Sequence, residues 1–180
     1  AKRLLNSQGI YDVTIRRVPG SLTDHYDPRS KTVNLSDAVY GSTSIAAIGV
    51  AAHECGHAIQ DDRSYAPLRI RNTLVPAANI GTQAAWPIIL VGLFLGSSSF
   101  LINLGILLFS LGVLFQIVTL PVEFDASARA IRILGDSGIL YEEEVKQTRK
   151  VLSAAAMTYV AAAAASILSL LRLLILFGGR

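Results

Sequence analysis

The sequence contains a single cysteine, Cys55, and only three histidines among its 180 residues. One cysteine excludes an internal disulfide and any metal site built from several thiolates. Charged residues are scarce at 16%, and no basic run is combined with stacking aromatics, so the net charge of +3 does not indicate nucleic-acid binding. Hydrophobic residues instead make up 52% of the chain, which is typical of proteins that place whole segments in lipid.

Three uncharged segments are long enough to cross a bilayer, at 74–95, 100–120 and 151–171. Each contains 21 or 22 residues, and a spanning helix needs about 20. Buried helices of a soluble domain are the alternative, but such a domain rarely contains three uncharged runs of this length. The sequence therefore predicts a mainly α-helical membrane protein that crosses the bilayer several times.

Upstream of these spans, the chain predicts a small β-sheet followed by a helix. The first ten residues predict a short helix that ends at Gly9. Alternating β-branched residues and turn signals then predict three strands, at 11–18, 22–26 and 31–35. We expect these strands to form an antiparallel sheet. A helix over 44–62 follows, and either Asp37 or the Ser/Thr cluster at 42–44 caps its N-terminus.

The helix over 44–62 carries the pentapeptide His53-Glu54-Cys55-Gly56-His57. Residues four apart lie on the same face of an α-helix, so both histidines can present a nitrogen to one zinc ion. Glu54, one step round the helix, can reach a water on that zinc and act as general base. Hydrogen-bonded core histidines are the alternative. Cys55 is expected to be a small packing residue rather than a redox group.

The chain order points to a third ligand. A catalytic zinc usually takes three protein ligands and keeps one position for water. The motif helix ends just before the first span and Glu123 follows the second, so a two-span hairpin returns Glu123 to the membrane face of His53 and His57. Asp125 is the alternative ligand, or it hydrogen-bonds the far nitrogen of a metal-bound histidine. Otherwise Glu123 is a solvated acid favoured by a helix start.

Basic residues indicate the orientation in the membrane. They lie on the side of the motif, whereas the short hairpin at 97–99 has none, and the positive-inside rule therefore places the site in the cytoplasm. The residues concerned are Arg63, Arg69, Arg71, Arg129, Arg132, Lys146, Arg149 and Lys150. The chain starts at Ala1 without methionine, and Lys2 and Arg3 suit the flank of an upstream anchor helix, so we expect a processed or recombinant fragment.

Four regions follow from this order. They are a cytoplasmic β-sheet with the motif helix at 1–72, a two-span hairpin at 73–120, a zinc-ligand helix with a connector at 121–150, and a C-terminal spanning helix at 151–180. Candidate donors for an oxyanion are His25, Tyr26 and Tyr159; the alternative for His25 is a surface or structural residue. The strand over 22–26 could bind an extended substrate by strand addition.

Three motifs carry a resemblance that covers essentially the whole chain. They are Asp-His-Tyr-Asp-Pro at 24–28, the run at 44–60 that ends in Ala-Ala-His-Glu-Cys-Gly-His-Ala-Ile-Gln, and Leu-Pro-Val-Glu-Phe-Asp-Ala-Ser at 120–127. Together they resemble the neutral zinc metallopeptidases of the YugP type, whose members carry an additional N-terminal membrane helix. The resemblance implies a zinc-dependent protease of the bacterial inner membrane.

The order of elements is also similar to that of the HtpX-like and CAAX prenyl proteases, which implies a gluzincin-like zinc helix. Those proteases have an aspartate four residues after the ligand glutamate, where this chain has Ser127. Its nearby acid is Asp125 instead, so the residues that support the ligands differ.

The leading interpretation is a membrane-embedded zinc endopeptidase with one zinc per chain, acting on membrane or membrane-proximal polypeptides. One alternative is a catalytically silent membrane scaffold that keeps the metallopeptidase fold, against which the intact Glu54 argues. Another is a zinc hydrolase of a non-peptide substrate, because zinc–water chemistry is not confined to amides. The sequence leaves open the substrate, the oligomeric state, and the involvement of a membrane-protein partner or adaptor.

Overall fold

The protein is mainly α-helical, as the sequence predicts. A computed structural model describes residues 1–177, which form six helices and three strands. In chain order these are α1 (Lys2–Ser7), β1 (Thr14–Val18), β2 (His25–Asp27), β3 (Thr32–Ser36), α2 (Asp37–Tyr40), α3 (Ile45–Asp62), α4 (Ala66–Phe94), α5 (Ser99–Ser137) and α6 (Glu142–Phe177). Helices α4, α5 and α6 are each long and apolar enough to cross a membrane, which confirms a mainly α-helical fold with three candidate spanning helices.

Helix α5 is one continuous element where the sequence predicts a span over 100–120 followed by a separate zinc-ligand helix within 121–150. The helix passes through Pro121 and Gly135 and ends at Ser137. Proline removes one backbone N–H and its hydrogen bond, a local loss that long apolar helices tolerate. Gly138, with a φ of +62°, supplies the left-handed conformation that closes the helix. Glu123 therefore lies inside a helix and not at a helix start.

The sheet is mixed, so the prediction of an antiparallel sheet is wrong for β1. The strand order is β1-β3-β2, with β1 parallel and β2 antiparallel to β3. Every residue of β3 is buried, whereas β1 and β2 are partly exposed, and the most buried strand takes the central place. The second strand starts at His25 instead of Leu22, and Leu22 itself has a φ of +58°, which is outside the range of a strand.

Helix α3 begins where the sequence predicts. Ser44 is its N-cap, and the Ser44 hydroxyl accepts a hydrogen bond from the Ala47 N–H at 3.2 Å. Asp37 instead starts α2 and pairs with Arg17. Helix α4 already begins at Ala66, eight residues before the uncharged run that starts at Leu74.

The chain forms two compact units. The first contains Ala1–Leu68 and Val122–Met157, and the second contains Arg69–Pro121 and the described residues from Thr158 on. The first unit buries a core that joins α1, the sheet, α3, the C-terminal part of α5 and the N-terminal part of α6; its fully buried members include Leu5, Val33, Ala52 and Leu134. A smaller cluster in the second unit contains Ile89, Ile102, Ile106 and Leu173.

Candidate metal centre

Two helices of the first unit bring two imidazoles and one carboxylate together. His53 and His57 lie one turn apart on α3, and Glu123 lies on α5. Glu123 Oε2 is 3.1 Å from Nε2 of His53 and 3.6 Å from Nε2 of His57. The two imidazole rings are 4.8 Å apart and nearly perpendicular. One ligand atom of each residue lies within 4.8 Å of the others, as a shared metal ion requires.

The chemistry and spacing of these donors suit zinc. Imidazole nitrogens and carboxylate oxygens are usual zinc ligands, and donors about 2.0–2.2 Å from one tetrahedral ion lie about 3.3–3.6 Å from each other. The observed separations of 3.1 and 3.6 Å are close to this spacing. The side chains of His53, His57 and Glu123 are only 16%, 10% and 3% exposed, respectively, so the group is shielded from bulk water. Three protein ligands leave one position of a tetrahedron open.

The far nitrogen of each imidazole also has a partner. Nδ1 of His53 lies 3.1 Å from the Ser127 hydroxyl, and Nδ1 of His57 lies 3.0 Å from Oε1 of Gln60. Such contacts fix the orientation of the ring, so that its Nε2 is presented to the carboxylate. Because Gln60 Oε1 is an acceptor, the neutral form of His57 carries its proton on Nδ1, which leaves its Nε2 with a lone pair for a metal.

Gln60 is held by a second set of contacts. Its Nε2 donates to the Val122 carbonyl and to Asp125 Oδ2, both at 2.8 Å. Asp125 in turn accepts a hydrogen bond from Arg129 Nε at 2.5 Å. Asp125 therefore reaches His57 only through Gln60, and the direct contact expected between Asp125 and a histidine is not formed.

The sequence alone assigns no role to Gln60, and it marks Ser127 only as a departure from related proteases. Both residues nevertheless lie at a helical spacing from a proposed ligand, and this spacing is visible in the sequence. Gln60 is three residues after His57 on the same helix, and Ser127 is four residues after Glu123, so each shares a helix face with a proposed ligand. Their partners, however, depend on how α3 packs against α5.

Glu54 is buried beside the group, with 7% of its surface exposed. Burial raises the pKa of Glu54 above its ordinary value, while the neighbouring histidines act in the opposite direction. Burial alone would lower the pKa of His57, but the carboxylates of Glu123 and Glu54 outweigh it and raise the pKa overall. These surroundings therefore favour a positive charge between the imidazoles and the carboxylates, which a metal cation would supply.

Cys55 points away from this chemistry. Its side chain is fully buried in the core of the first unit, and burial raises the pKa of the thiol to about 12. A thiol with such a pKa is almost entirely protonated near neutral pH and is a poor nucleophile. Its environment fits the packing role expected from the sequence.

Gly56 allows α3 and α5 to approach closely. A Cβ built on Gly56 would lie 2.4 Å from the backbone carbonyl oxygen of Ala126. This contact is with backbone, so it can be relieved only by moving one helix relative to the other. Because His53 and His57 are on α3 and Glu123 is on α5, the absence of a side chain at Gly56 helps set the distance between the donors.

We therefore expect Gly56→Ala to separate the two helices and weaken metal binding. Overpacking of this kind costs typically about 1–3 kcal/mol of folding stability. Thermal unfolding and zinc affinity should both fall, as measured by circular dichroism and by competition with a zinc chelator.

Gly135→Ala is the matched control. Gly135 also lies within a helix, but an added Cβ would meet no atom within 4 Å. Alanine favours helix over glycine by about 1 kcal/mol, so this variant should be as stable as the wild type or more so. Equal zinc affinity in both variants would contradict the role given to Gly56.

The remaining candidates from the sequence make other contacts. Nδ1 of His25 lies 2.8 Å from the Thr23 carbonyl and its Nε2 lies 3.2 Å from the Asn34 amide. The Tyr26 hydroxyl donates to Asp61 at 2.9 Å, and its pKa is raised by burial and by this carboxylate. Tyr159 lies on α6 in the second unit. Their roles toward an oxyanion stay predictions.

Comparison with known proteins agrees with the motifs. Residues 1–178 match the family described as "Putative neutral zinc metallopeptidase". Over 177 residues the chain is 49% identical to the "Putative membrane protease YugP" of Bacillus subtilis (strain 168), an alignment that covers 98% of this chain and 78% of that protein. No solved structure matches the chain. The family resemblance drawn from the sequence is thereby confirmed.

Proposed function

This chain belongs to the neutral zinc metallopeptidase family, and we propose that it is a membrane-embedded endopeptidase for membrane or membrane-proximal polypeptides. The observation that carries the proposal is the buried group of His53, His57 and Glu123, with Glu54 beside it. The three long apolar helices support a location in the bilayer. The wording of both matched descriptions, a zinc metallopeptidase and a membrane protease, supports the same reaction class.

One zinc ion per chain is assigned to His53, His57 and Glu123. Bound there, zinc supplies Lewis-acid chemistry that lowers the pKa of a water toward about 7 and polarises a peptide carbonyl. The protein's part is to fix the donors. Ser127 and Gln60 hold the far nitrogens, so the near nitrogen of each imidazole stays aimed at the carboxylate.

Glu54 is assigned the proton transfers. It takes a proton from the attacking water and passes it to the amine that leaves when the peptide bond breaks. Two features support this role. The side chain lies next to the ligands on α3 without being one of the grouped donors, and its pKa is raised by burial, which makes the carboxylate a stronger base near neutral pH.

The edge of the sheet offers a way to align a substrate. Strand β2 is at one edge, because the order is β1-β3-β2, and it packs against α3, which carries the motif. An extended polypeptide could add to this edge through backbone hydrogen bonds. We assign substrate alignment to this edge, now at His25–Asp27 instead of the predicted 22–26.

The site is further proposed to face the cytoplasm from a bacterial cell membrane, which is the inner membrane where there are two. The basic residues near the motif and the neutral hairpin at 97–99 support this orientation through the positive-inside rule. An adaptor or other membrane-protein partner would meet the site on that side.

Labelling of single cysteines in intact cells tests the orientation. The native Cys55 is fully buried with a raised pKa and should stay silent, so Ser64→Cys and Ser98→Cys can each be read alone. A membrane-impermeant maleimide added outside should modify the cysteine at 98 and spare the one at 64. Modification at 64 but not at 98 would reverse the proposed orientation.

The function itself is tested by incubating the purified chain with a synthetic peptide library and identifying new amino termini by mass spectrometry. A peptidase creates such termini, and they should disappear when a zinc chelator is present. A folded, zinc-loaded chain that cleaves no peptide would favour the silent scaffold. Turnover of ester substrates without new amino termini would favour a hydrolase of another class.

A further inference from the structure

A groove with a cavity volume of about 600 Å³ lies between the C-terminal part of α5 and the N-terminal part of α6. All of its lining residues belong to the first unit. One part of the lining is apolar and contains Phe124, Ile131 and Leu152. The other part is charged and contains Arg132, Arg149 and Asp136. The groove can therefore accept a polypeptide segment that has both an apolar and a charged side chain.

Among the described residues, Arg132 and Arg149 lack the acidic partners that some basic residues nearby have. Within the part of the chain that the structure describes, neither Arg132 nor Arg149 forms an ion pair or a side-chain hydrogen bond. Arg129, by contrast, pairs with Asp125, and Lys146 pairs with Glu143. Asp136 contributes a negative charge to the same lining, so the groove has a net charge of +1. Two exposed guanidinium groups without partners provide a site for a carboxylate.

The groove borders the candidate metal centre at one residue. Ser127 lines it, and the Ser127 hydroxyl is the group 3.1 Å from Nδ1 of His53. Phe124, which is exposed and lines the groove, follows Glu123 directly in α5. Arg132 is nine residues beyond Glu123 on this helix, which corresponds to about 13 Å along the axis. An extended peptide covers that distance in about four residues.

We propose that this groove is a substrate subsite that binds a polypeptide segment with an acidic side chain about four residues from the cleaved bond, through Arg132 and Arg149. The proposal rests on the proposed peptidase function and adds a substrate class to it. The apolar lining beside Phe124 receives an apolar side chain nearer to the bond. An anionic lipid headgroup offers similar chemistry, but the contact of the groove residue Ser127 with His53 favours the substrate.

The test uses full-length protein in phosphatidylcholine nanodiscs and a set of peptides with one shared cleavable core. Each peptide carries Glu, Gln or Lys at one position, scanned on both sides of the bond, and mass spectrometry gives kcat/KM. Wild type should prefer Glu over Lys by about 3- to 10-fold, as expected for partly exposed charge pairs, at a position about four residues from the bond. Added salt should reduce the preference.

Arg149→Glu should reverse the preference toward Lys, and its circular dichroism spectrum and zinc content should match those of the wild type, which shows that the variant is folded. Lys150→Glu is the matched control: it makes the same change of charge at the next residue, which does not line the groove, and should keep the preference for Glu.

An unchanged preference in Arg149→Glu, or the same shift in both variants, would overturn the subsite while leaving the peptidase function intact. The subsite would also be overturned if phosphatidylglycerol in the nanodiscs stimulated cleavage by the wild type and Arg149→Glu lost only this stimulation. That result would assign the groove to lipid. If wild type cleaves no peptide, the proposed function fails and the subsite fails with it.

Discussion

Replacing Glu54 with Gln is expected to reduce peptide cleavage by about 10²–10⁴-fold, the usual contribution of a general base, while zinc stays bound. Glutamine has nearly the same size as glutamate, so it fills the buried position, but it cannot accept the proton of the attacking water. Zinc retention follows because Glu54 is not among the three donors grouped within 4.8 Å of one another. A variant that binds substrate without cleaving it should also capture substrates from membranes.

The comparison needs three proteins measured together: wild type, Glu54→Gln and Glu142→Gln. Glu142→Gln makes the same chemical change at a side chain that is 88% exposed, and this variant should retain full activity. Cleavage is followed by mass spectrometry and zinc by atomic absorption on the same samples. Wild-type cleavage by Glu54→Gln would rule out the proposed mechanism, and loss of zinc from it would make Glu54 a ligand.

Removal of the third ligand should have the largest effect on metal content. Glu123→Ala leaves only two imidazoles, and we expect zinc to fall from about one ion per chain to nearly none after dialysis. Loss of residues that merely support a ligand typically costs about 10–100-fold in affinity, and loss of a ligand itself should cost more. Zinc in the purified variant is measured by mass spectrometry against protein concentration.

Asp125→Ala is the matched control, because it removes a carboxylate from the same helix two residues away. Asp125 contacts Gln60 and Arg129 and reaches His57 only through Gln60. This variant should keep about one zinc per chain, with a lower affinity. If Glu123→Ala kept one zinc per chain and Asp125→Ala lost its zinc, Asp125 and not Glu123 would be the ligand.

The features that could be predicted from the sequence are those that depend on local spacing. The four-residue spacing of His53 and His57 places them on one helix face, and in the structure their rings are 4.8 Å apart. Length and the absence of charge identified the three helices that can cross a membrane. Chain order across a two-span hairpin brought Glu123 to the histidines in the prediction, and the structure places its carboxylate 3.1 Å from His53.

The features that could not be predicted depend on contacts between distant segments. Strand β3 is the central strand of the sheet, and all five of its residues are buried. A five-residue sequence pattern does not show that a strand is buried on both faces. Proline normally indicates a break, yet α5 passes through Pro121, so a boundary was expected where none exists. The roles of Gln60 and Ser127 arise only when α3 and α5 approach as closely as Gly56 permits.

The most direct test of the account is a zinc titration of peptide cleavage. Wild-type protein is stripped of metal with a chelator, checked for retained folding by circular dichroism, and assayed as zinc is added back in measured amounts. We predict no cleavage without metal, a linear return of activity, and a break at about one zinc per chain. Full cleavage by the metal-free protein, or a folded protein that stays inactive at every zinc concentration, would contradict the proposal that this chain is a zinc-dependent membrane endopeptidase.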